Sequence, residues 1–336
     1  MLDGTWLVIH GVAVSAISFG VIFFLTPIAI RWLAARGRIV PDAHKPSRPS
    51  VPRPAGPVIM VGIAAAEIFL YAVTMNSAVL AVLLTTVVAF TVGYVDDSRV
   101  MPGWFKPVAL LSAAVPLVVL GAHGSSLNLV FGSAFIPLLY VPLIFIIIPI
   151  TGNTVNSIDV LNGVASGFMI ISTIPLLASI AIFGDSIEIF LAGLPLLFGM
   201  IAFYRYHKFP SRIFPGDSGT LLLGAMYGAL AIAGSSEIIG VIALLPAVMN
   251  SFLFLASVKK IVEHRQVRAR PVVLLDDFRL AASSDKFAPA TLVRLILAEG
   301  PLDEKEVGRQ IFKLAIFTAL LSFASIAIQY VIFFGL

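Results

Sequence analysis

The chain has 336 residues, of which 59% are hydrophobic and only 12% are charged. That composition leaves too little polar surface to cover soluble domains of this size, so a soluble globular protein is excluded. The chain has no cysteine, which excludes disulfides, thiolate metal sites and a cysteine nucleophile. The net charge of +4 is too small to indicate nucleic-acid binding, and we expect no nucleic-acid partner.

Apolar runs long enough to cross a bilayer predict ten transmembrane helices. In chain order they cover residues 6–30, 57–75, 78–95, 107–121, 135–152, 160–183, 187–204, 218–234, 237–258 and 311–335. The first run lacks a basic segment before it and a small-residue cleavage pattern, which favours a transmembrane helix over a removable signal peptide. The sequence therefore predicts an all-α integral membrane protein.

The basic residues are segregated along this pattern of spans. All 22 Lys and Arg residues lie in four segments, 31–56, 96–106, 205–215 and 259–313. With ten spans, these segments share one side of the membrane, while the other side and both termini carry no basic residue. The positive-inside bias makes the basic side cytoplasmic and places both termini outside.

Four polar clusters stand at the ends of these spans, where unpartnered carboxylates and amides are costly and by default mark a site. They comprise Asp96 with Asp97; Asn153, Asn156, Asp159 and Asn162; Asp217 between two small residues; and His264 with Arg265. Each cluster also has a purely structural interpretation. In the same order, these are a solvated helix end, amide hydrogen bonds between helices, capping of the following helix and a basic anchor at the inner leaflet.

The amide-rich cluster repeats a polar residue every third position from Asn153 to Asn162. On a straight α-helix three residues turn by about 300°, so these two asparagines would point to opposite faces. The spacing therefore predicts a broken helix or a loop that lines a cavity.

Acids, amides and bases on one membrane face are the combination that binds a divalent metal and phosphates. Carboxylates hold Mg²⁺, basic side chains neutralise phosphates, and an aspartate near a nucleophile aligns it or accepts its proton. The sequence has no Walker-type Gly-x4-Gly-Lys, no His-Glu-x-x-His and no Gly-x-Ser-x-Gly, so nucleotide hydrolysis, zinc proteolysis and triad chemistry have no support.

Six motifs follow one another along the chain: segments 41–45 (PDAHK), 53–56 (RPAG), 96–97 (DD), 153–163, 214–219 (FPGDSG) and 264–265 (HR). In this order and spacing they resemble the polyprenyl-phosphate N-acetylhexosamine-1-phosphate transferases of the glycosyltransferase 4 type. The resemblance implies an integral membrane enzyme that moves a sugar 1-phosphate from a UDP-sugar to a lipid phosphate and releases UMP.

The chain is most similar to the dolichyl-phosphate GlcNAc-1-phosphate transferases, which begin N-glycan assembly. Segment 206–217 (YHKFPSRIFPGD) is similar to that branch, and Asn162 stands where bacterial wall-precursor enzymes usually have Asp. The branch carries a β-rich cytoplasmic insert, for which we expect a strand in 270–278 and a short helix in 291–301. The resemblance divides the chain into a transmembrane catalytic domain (1–258), a cytoplasmic α/β insert (259–310) and a last transmembrane helix (311–336).

The resemblance also implies roles for individual residues. Asp217 and Asn156 would hold Mg²⁺, or Mn²⁺, on the donor diphosphate. Asp96 and Asp97 would position or deprotonate the lipid phosphate.

Other residues would bind the substrates directly. Arg265 would bind the diphosphate, and His264 the N-acetyl group. Asn162 would read the uracil, and Asn153 belongs to the same substrate-binding segment. Lys106 and Lys45 would neutralise phosphates.

Two positions depart from the family pattern, and one acid has no settled role. Arg53 stands where related enzymes often have an acid, and Glu263 replaces a basic residue before His264. Asp159 matches an acid of the bacterial enzymes that the dolichol branch lacks.

The expected partners are UDP-GlcNAc, a dolichyl or polyprenyl phosphate and membrane lipid, and the sequence is compatible with a homodimer. The expected location is the cell membrane of an archaeon, or the ER membrane of a eukaryote, with a cytoplasmic active site. An undecaprenyl-phosphate transferase of cell-wall or polysaccharide synthesis is the main alternative. An ion-coupled transporter is a weaker one, because its polar residues would lie near the midplane.

Overall fold

The computed structural model of the chain describes residues 4–45, 47–99, 101–259 and 269–335. Thirteen α-helices account for most of this part: α1 (Gly4–Ala35), α2 (Gly56–Thr74), α3 (Ser77–Ser98), α4 (Phe105–Ala109), α5 (Leu111–Val119), α6 (Pro137–Ile158), α7 (Val164–Phe183), α8 (Ile187–His207), α9 (Gly216–Ala233), α10 (Glu237–Ala243), α11 (Leu245–Val258), α12 (Leu292–Ile296) and α13 (Glu304–Phe334). Three antiparallel two-stranded hairpins join them: β1 (Ile39–Pro41) with β2 (Ser50–Pro52), β3 (Ser126–Leu129) with β4 (Gly132–Phe135), and β5 (Val272–Leu274) with β6 (Leu280–Ala282).

Seven of these helices are long and apolar enough to cross a membrane, namely α1, α2, α3, α6, α7, α8 and α13. The α10–α11 pair forms an eighth span if its 72° bend is counted within one crossing. The prediction of a helical, multi-pass membrane protein is confirmed. The count of ten is not confirmed for the described residues. The predicted fourth span is split into the short helices α4 and α5, and the predicted eighth span corresponds to α9, which is not among the helices long and apolar enough to cross.

Helix α9 lies at the centre of the bundle. All of its residues except Ala233 are buried, and α3 and α6 pack against it along its length. Small residues allow this approach, since a Cβ added at Gly224 would collide with the carbonyl oxygen of Thr151 in α6. Because α9 is central, its polar N-terminus lies in the interior of the protein.

The prediction of a broken helix from Asn153 to Asn162 was wrong for its first half. Helix α6 continues without interruption to Ile158, and Asn153 and Asn156 both lie on it. An asparagine amide can bond a carbonyl four residues earlier, as Asn153 does with Pro149 at 2.8 Å, so a polar residue need not end the helix. The loop begins at Asp159 and ends at Gly163, which has a positive φ of 80°.

The segment before the last helix contains the expected strand and short helix, as β5 and α12, each shorter than predicted. The Arg294 guanidinium holds this segment together by donating to the carbonyls of Ser283 and Asp285, both at 3.0 Å. Asn250 ties the segment to the bundle, because it donates to the Ser157 carbonyl (2.9 Å) and accepts from the Leu292 amide (2.9 Å). The division into domains stays a prediction, although the last helix already begins at Glu304.

Replacing Gly224 by alanine should destabilise the bundle, because the new methyl group meets backbone that has no freedom to move. Overpacking of this kind costs about 1–3 kcal/mol. We expect a lower midpoint of thermal unfolding for Gly224→Ala in detergent. Gly20→Ala is the matched control, because a Cβ at Gly20 in α1 meets nothing within 4 Å. Equal midpoints for the two variants would contradict the close contact between α6 and α9.

Candidate active site

The end of α3 meets the beginning of α9. Gly93 makes this approach feasible, since a Cβ there would lie 2.5 Å from the carbonyl oxygen of Asp217. The carboxylate of Asp97 accepts the backbone N–H groups of Asp217 (3.0 Å) and Ser218 (2.8 Å) and the Ser218 hydroxyl (2.6 Å). Asp97 thus caps α9 from a neighbouring helix, where free N–H groups and the helix dipole both favour an anion.

Two basic side chains lie among the carboxylates. Arg53 Nη2 lies 3.1 Å from Asp97 Oδ1 and 2.5 Å from Asp217 Oδ2. Lys106 Nζ lies 2.6 Å from Asp217 Oδ1 and 2.9 Å from Asp96 Oδ2. Three carboxylates therefore share two cations within the described residues, and both oxygens of Asp217 contact a positive charge.

The charge state of the two bases follows from these contacts. Burial alone would lower the pKa of the Arg53 guanidinium and of the Lys106 ammonium group. The carboxylates outweigh that effect, chiefly Asp217, and raise both pKa values above their ordinary range. Both side chains therefore stay positively charged at neutral pH.

The two residues expected to hold a metal lie side by side. The amide of Asn156 lies next to the Asp217 carboxylate, and its oxygen accepts a hydrogen bond from Thr220 at 2.7 Å. A carboxylate and an amide oxygen are ligands that fit Mg²⁺, which completes its shell with water and phosphate oxygens. The residues present therefore suit the ion, provided that Arg53 or Lys106 shares or releases an oxygen of Asp217 and that Thr220 shares or releases the oxygen of Asn156.

A cavity of about 360 Å³ adjoins this cluster. The polar residues in its wall are Asp42, His44, Arg53, Asn156, Asp159 and Asn162. They come from the segment around β1, from α6 and its following loop, and from the link between β2 and α2. Space for a ligand thus lies directly beside the candidate metal ligands.

Asp159, whose role the sequence left open, is in the cavity wall. Burial raises the pKa of its carboxyl to about 7, although the charge of Arg53 acts in the opposite direction. Its Oδ1 lies 3.7 Å from Nε2 of His207.

Asn162 is fixed at the far side of the cavity by several contacts. Its side-chain oxygen accepts from Lys45 Nζ (2.8 Å) and from the Ser211 amide (2.6 Å), and its side-chain nitrogen donates to Asp42 (3.2 Å). Its backbone N–H donates to the buried Glu304 carboxylate at 2.9 Å. Lys45 pairs with Asp42 and lies 3.6 Å from Glu304, so the two residues predicted for substrate binding belong to one network.

The structure therefore assembles two groups of predicted residues. Asp96, Asp97, Lys106, Asn156 and Asp217 form the first, and Lys45 with Asn162 the second. Asn153 lies one turn before Asn156, with its amide bonded within α6. His264 and Arg265 lie outside the described residues, and their roles stay predictions.

Three charged residues that contact these two groups were not among the predicted site residues. Asp42 and Arg53 stand inside motifs that carried the family resemblance, so a signal for them existed. The sequence around Glu304 gives no sign of a role in a site, because an acid in the first turn of a helix is ordinarily a solvent-exposed residue that the helix dipole stabilises. Only the fold reveals that Glu304 is buried against Asn162.

The ends of helices in this multi-pass bundle bring together acids, an amide and two basic side chains, a combination that suits a divalent metal and phosphates. Residues 79–235 match the family described as glycosyl transferase family 4. Together with the relatives described next, this match shows that the chain belongs to that family.

Three curated relatives illustrate its range. A protein of Saccharolobus solfataricus, provisionally named a UDP-N-acetylglucosamine–dolichyl-phosphate N-acetylglucosaminephosphotransferase, is 31% identical over 222 residues, covering 63% of this chain and 69% of the relative. The phospho-N-acetylmuramoyl-pentapeptide-transferase of Caldicellulosiruptor bescii is 30% identical, covering 64% and 72%. A Bacillus subtilis protein, provisionally named an undecaprenyl-phosphate N-acetylglucosaminyl 1-phosphate transferase, is 24% identical, covering 65% and 61%.

Replacing Asp97 by asparagine should loosen the start of α9. Either orientation of the new amide turns an NH₂ group towards a backbone N–H that Asp97 now binds. A buried donor left without an acceptor costs about 1–3 kcal/mol. We expect a lower thermal midpoint for Asp97→Asn than for Asp277→Asn, which changes an exposed pair with Arg279. Identical midpoints would show that Asp97 does not cap α9.

Proposed function

We propose that this chain transfers GlcNAc-1-phosphate from UDP-GlcNAc to a dolichyl or other polyprenyl phosphate, releasing UMP. The observation that carries the proposal is the contact of Asp217 with Lys106, Arg53 and Asn156 at the point where Asp97 joins α3 to α9. Membership of glycosyl transferase family 4 and the archaeal relative support the same reaction.

The chemistry requires an oxygen of the lipid phosphate to attack the donor phosphorus that carries the sugar. The bond from that phosphorus to the oxygen of UMP breaks, and a lipid-linked diphosphate forms. A Mg²⁺ ion on Asp217 and Asn156 would supply positive charge to the donor diphosphate. Lys106 provides a second, fixed positive charge, which Asp96 and Asp217 orient from two sides.

The two neighbouring aspartates have different surroundings, which suggests a division of labour. Both oxygens of Asp97 are occupied by the start of α9, so Asp97 holds the site together. One oxygen of Asp96, Oδ1, is buried and has no hydrogen-bond partner in the described part of the chain, so it can still accept a proton or a hydrogen bond. We assign Asp96 to the lipid phosphate, whose second pKa lies near 6, as the group that aligns it or takes its proton.

The cavity beside Asn156 is proposed to hold the uridine and sugar of the donor. Asn162 would read the base with an amide that Lys45, Asp42 and Ser211 already orient. Pre-orientation of this kind favours binding, because less freedom is lost when the ligand arrives. The arrangement also gives the predicted roles of Lys45 and Asn162 a common basis.

The cellular setting rests on the sequence. The segregation of all 22 basic residues supports a cytoplasmic site with both termini outside, in the cell membrane or, for a eukaryotic source, the ER. Entry of the product into N-glycan assembly follows from the dolichyl acceptor. A homodimer remains a prediction.

The decisive experiment measures UMP release by purified protein from UDP-GlcNAc and dolichyl phosphate with Mg²⁺. Removal of the metal with EDTA should abolish release, and Asp217→Asn should lower it by at least about 100-fold, as loss of one charge-stabilising group typically does. Undecaprenyl phosphate in parallel tests the alternative acceptor, which the name of the Bacillus subtilis relative contains. No UMP with any UDP-HexNAc and either lipid would refute the proposal.

Glu304 offers a separate test of the donor cavity. In Glu304→Ala the backbone N–H of Asn162 and the Lys45 ammonium group lose an anionic partner, so the KM for UDP-GlcNAc should rise about tenfold while kcat changes little. Glu304→Gln keeps an acceptor for the Asn162 N–H and should recover part of the loss. Glu299→Ala, at an exposed position of the same segment, is the control. A fall in kcat with an unchanged KM would place Glu304 outside donor binding.

A further inference from the structure

Both oxygens of the Asp217 carboxylate contact cations that belong to the protein. Arg53 lies at Oδ2 and Lys106 at Oδ1. A ligand that needs Asp217 must therefore compete with one of these side chains. The question is which of them yields.

Lys106 is the less suitable of the two to move. Its ammonium group is also paired with Asp96, and only 12% of its side chain is exposed. The Arg53 side chain is 28% exposed, and it lies in the cavity wall beside Asn156. The Arg53 side chain can therefore move away from Asp217 and into the cavity.

The chemistry of the guanidinium fits a second role. Arg53 contacts Asp97 and Asp217 through the same nitrogen, Nη2. Three further N–H groups stand on Nε and Nη1, in the planar arrangement that matches two oxygens of a phosphate. Arg53 can therefore keep its pairing with Asp97 while it binds a phosphate oxygen in the cavity.

We propose that Arg53 is a resident counter-ion that the donor diphosphate takes over. Without substrate it neutralises Asp97 and Asp217; with donor it releases Asp217 and binds a phosphate oxygen. This inference rests on the proposed function, since it needs a diphosphate in the cavity. It gives a role to the residue that replaces the acid expected from the family pattern.

The proposal has a consequence that a purely structural role lacks. Because Arg53 competes for Asp217, its removal should strengthen the binding of a divalent cation in the absence of donor. The same removal should weaken the binding of the donor, which loses a charged hydrogen-bonding partner. Opposite effects on two ligands are the signature of the exchange.

The experiment uses the full chain in detergent, with Mn²⁺ as the metal probe followed by EPR and UMP release as the activity. For Arg53→Gln we expect Mn²⁺ without donor to bind at least about fivefold more tightly and the KM for UDP-GlcNAc to rise at least about tenfold. Arg205→Gln, an equal charge change at an exposed position of α8, should alter neither. Unchanged or weaker Mn²⁺ binding, or an unchanged KM, in Arg53→Gln would overturn the inference.

Arg53→Lys provides a second variant that separates the two roles and carries the test if Arg53→Gln does not fold. Lysine keeps the positive charge but has no planar fork. Mn²⁺ affinity should stay near that of the wild type while the KM for the donor rises, and an unchanged KM would count against the inference. If the wild-type protein releases no UMP, equilibrium binding of UDP-GlcNAc replaces the KM. Tighter Mn²⁺ binding and weaker UDP-GlcNAc binding in Arg53→Gln would then refute the proposed transfer alone, and unchanged UDP-GlcNAc binding would overturn the exchange as well.

Discussion

The carboxylate of Asp97 holds the N-terminus of α9 against the end of α3, and the geometry of the site depends on this contact. It accepts two backbone N–H groups and one hydroxyl, so both of its oxygens are engaged. The contact fixes Asp217, the first acid of α9, at a position where Arg53, Lys106 and Asn156 all reach it. The N-terminus of α9 thereby brings together side chains from four distant parts of the chain.

Charge balance explains how several acids are tolerated at the ends of membrane helices. An unpaired carboxylate in such surroundings is costly, and a buried pair is favourable only when its geometry is good. Here Asp97 and Asp217 share Arg53, while Asp96 and Asp217 share Lys106. The remaining excess of acid is what a bound cation would neutralise. The few groups that balance one another's charge without ligands are thus the groups proposed to bind a metal and phosphates.

The sequence predicted the chemical composition of the site better than its scaffold. Asp96, Asp97, Asn156 and Asp217 were predictable because polar groups at the membrane boundary are costly without a purpose. Hydropathy could not reveal that α9 is enclosed by protein or that α10 and α11 meet at 72°, since both read as apolar runs. Glu304 was missed as a site residue because it reads locally as an ordinary surface charge, and only its contact with the distant Asn162 reveals its use. Arg53 stands in a motif of the resemblance, but only its contacts with Asp97 and Asp217 show what it does.

The enclosure of α9 also has a bearing on how the protein is made. Its two principal neighbours, α3 and α6, precede it in the chain, so a ribosome has synthesised them before α9 emerges. Helix α9, with glycines on its surface and an acid at its N-terminus, can then pack between helices that are already in the membrane, and it need not remain alone in lipid. The arrival of this one helix thereby completes the cluster of Asp96, Asp97, Lys106, Asn156 and Asp217, whereas Glu304 joins Asn162 only when α13 follows.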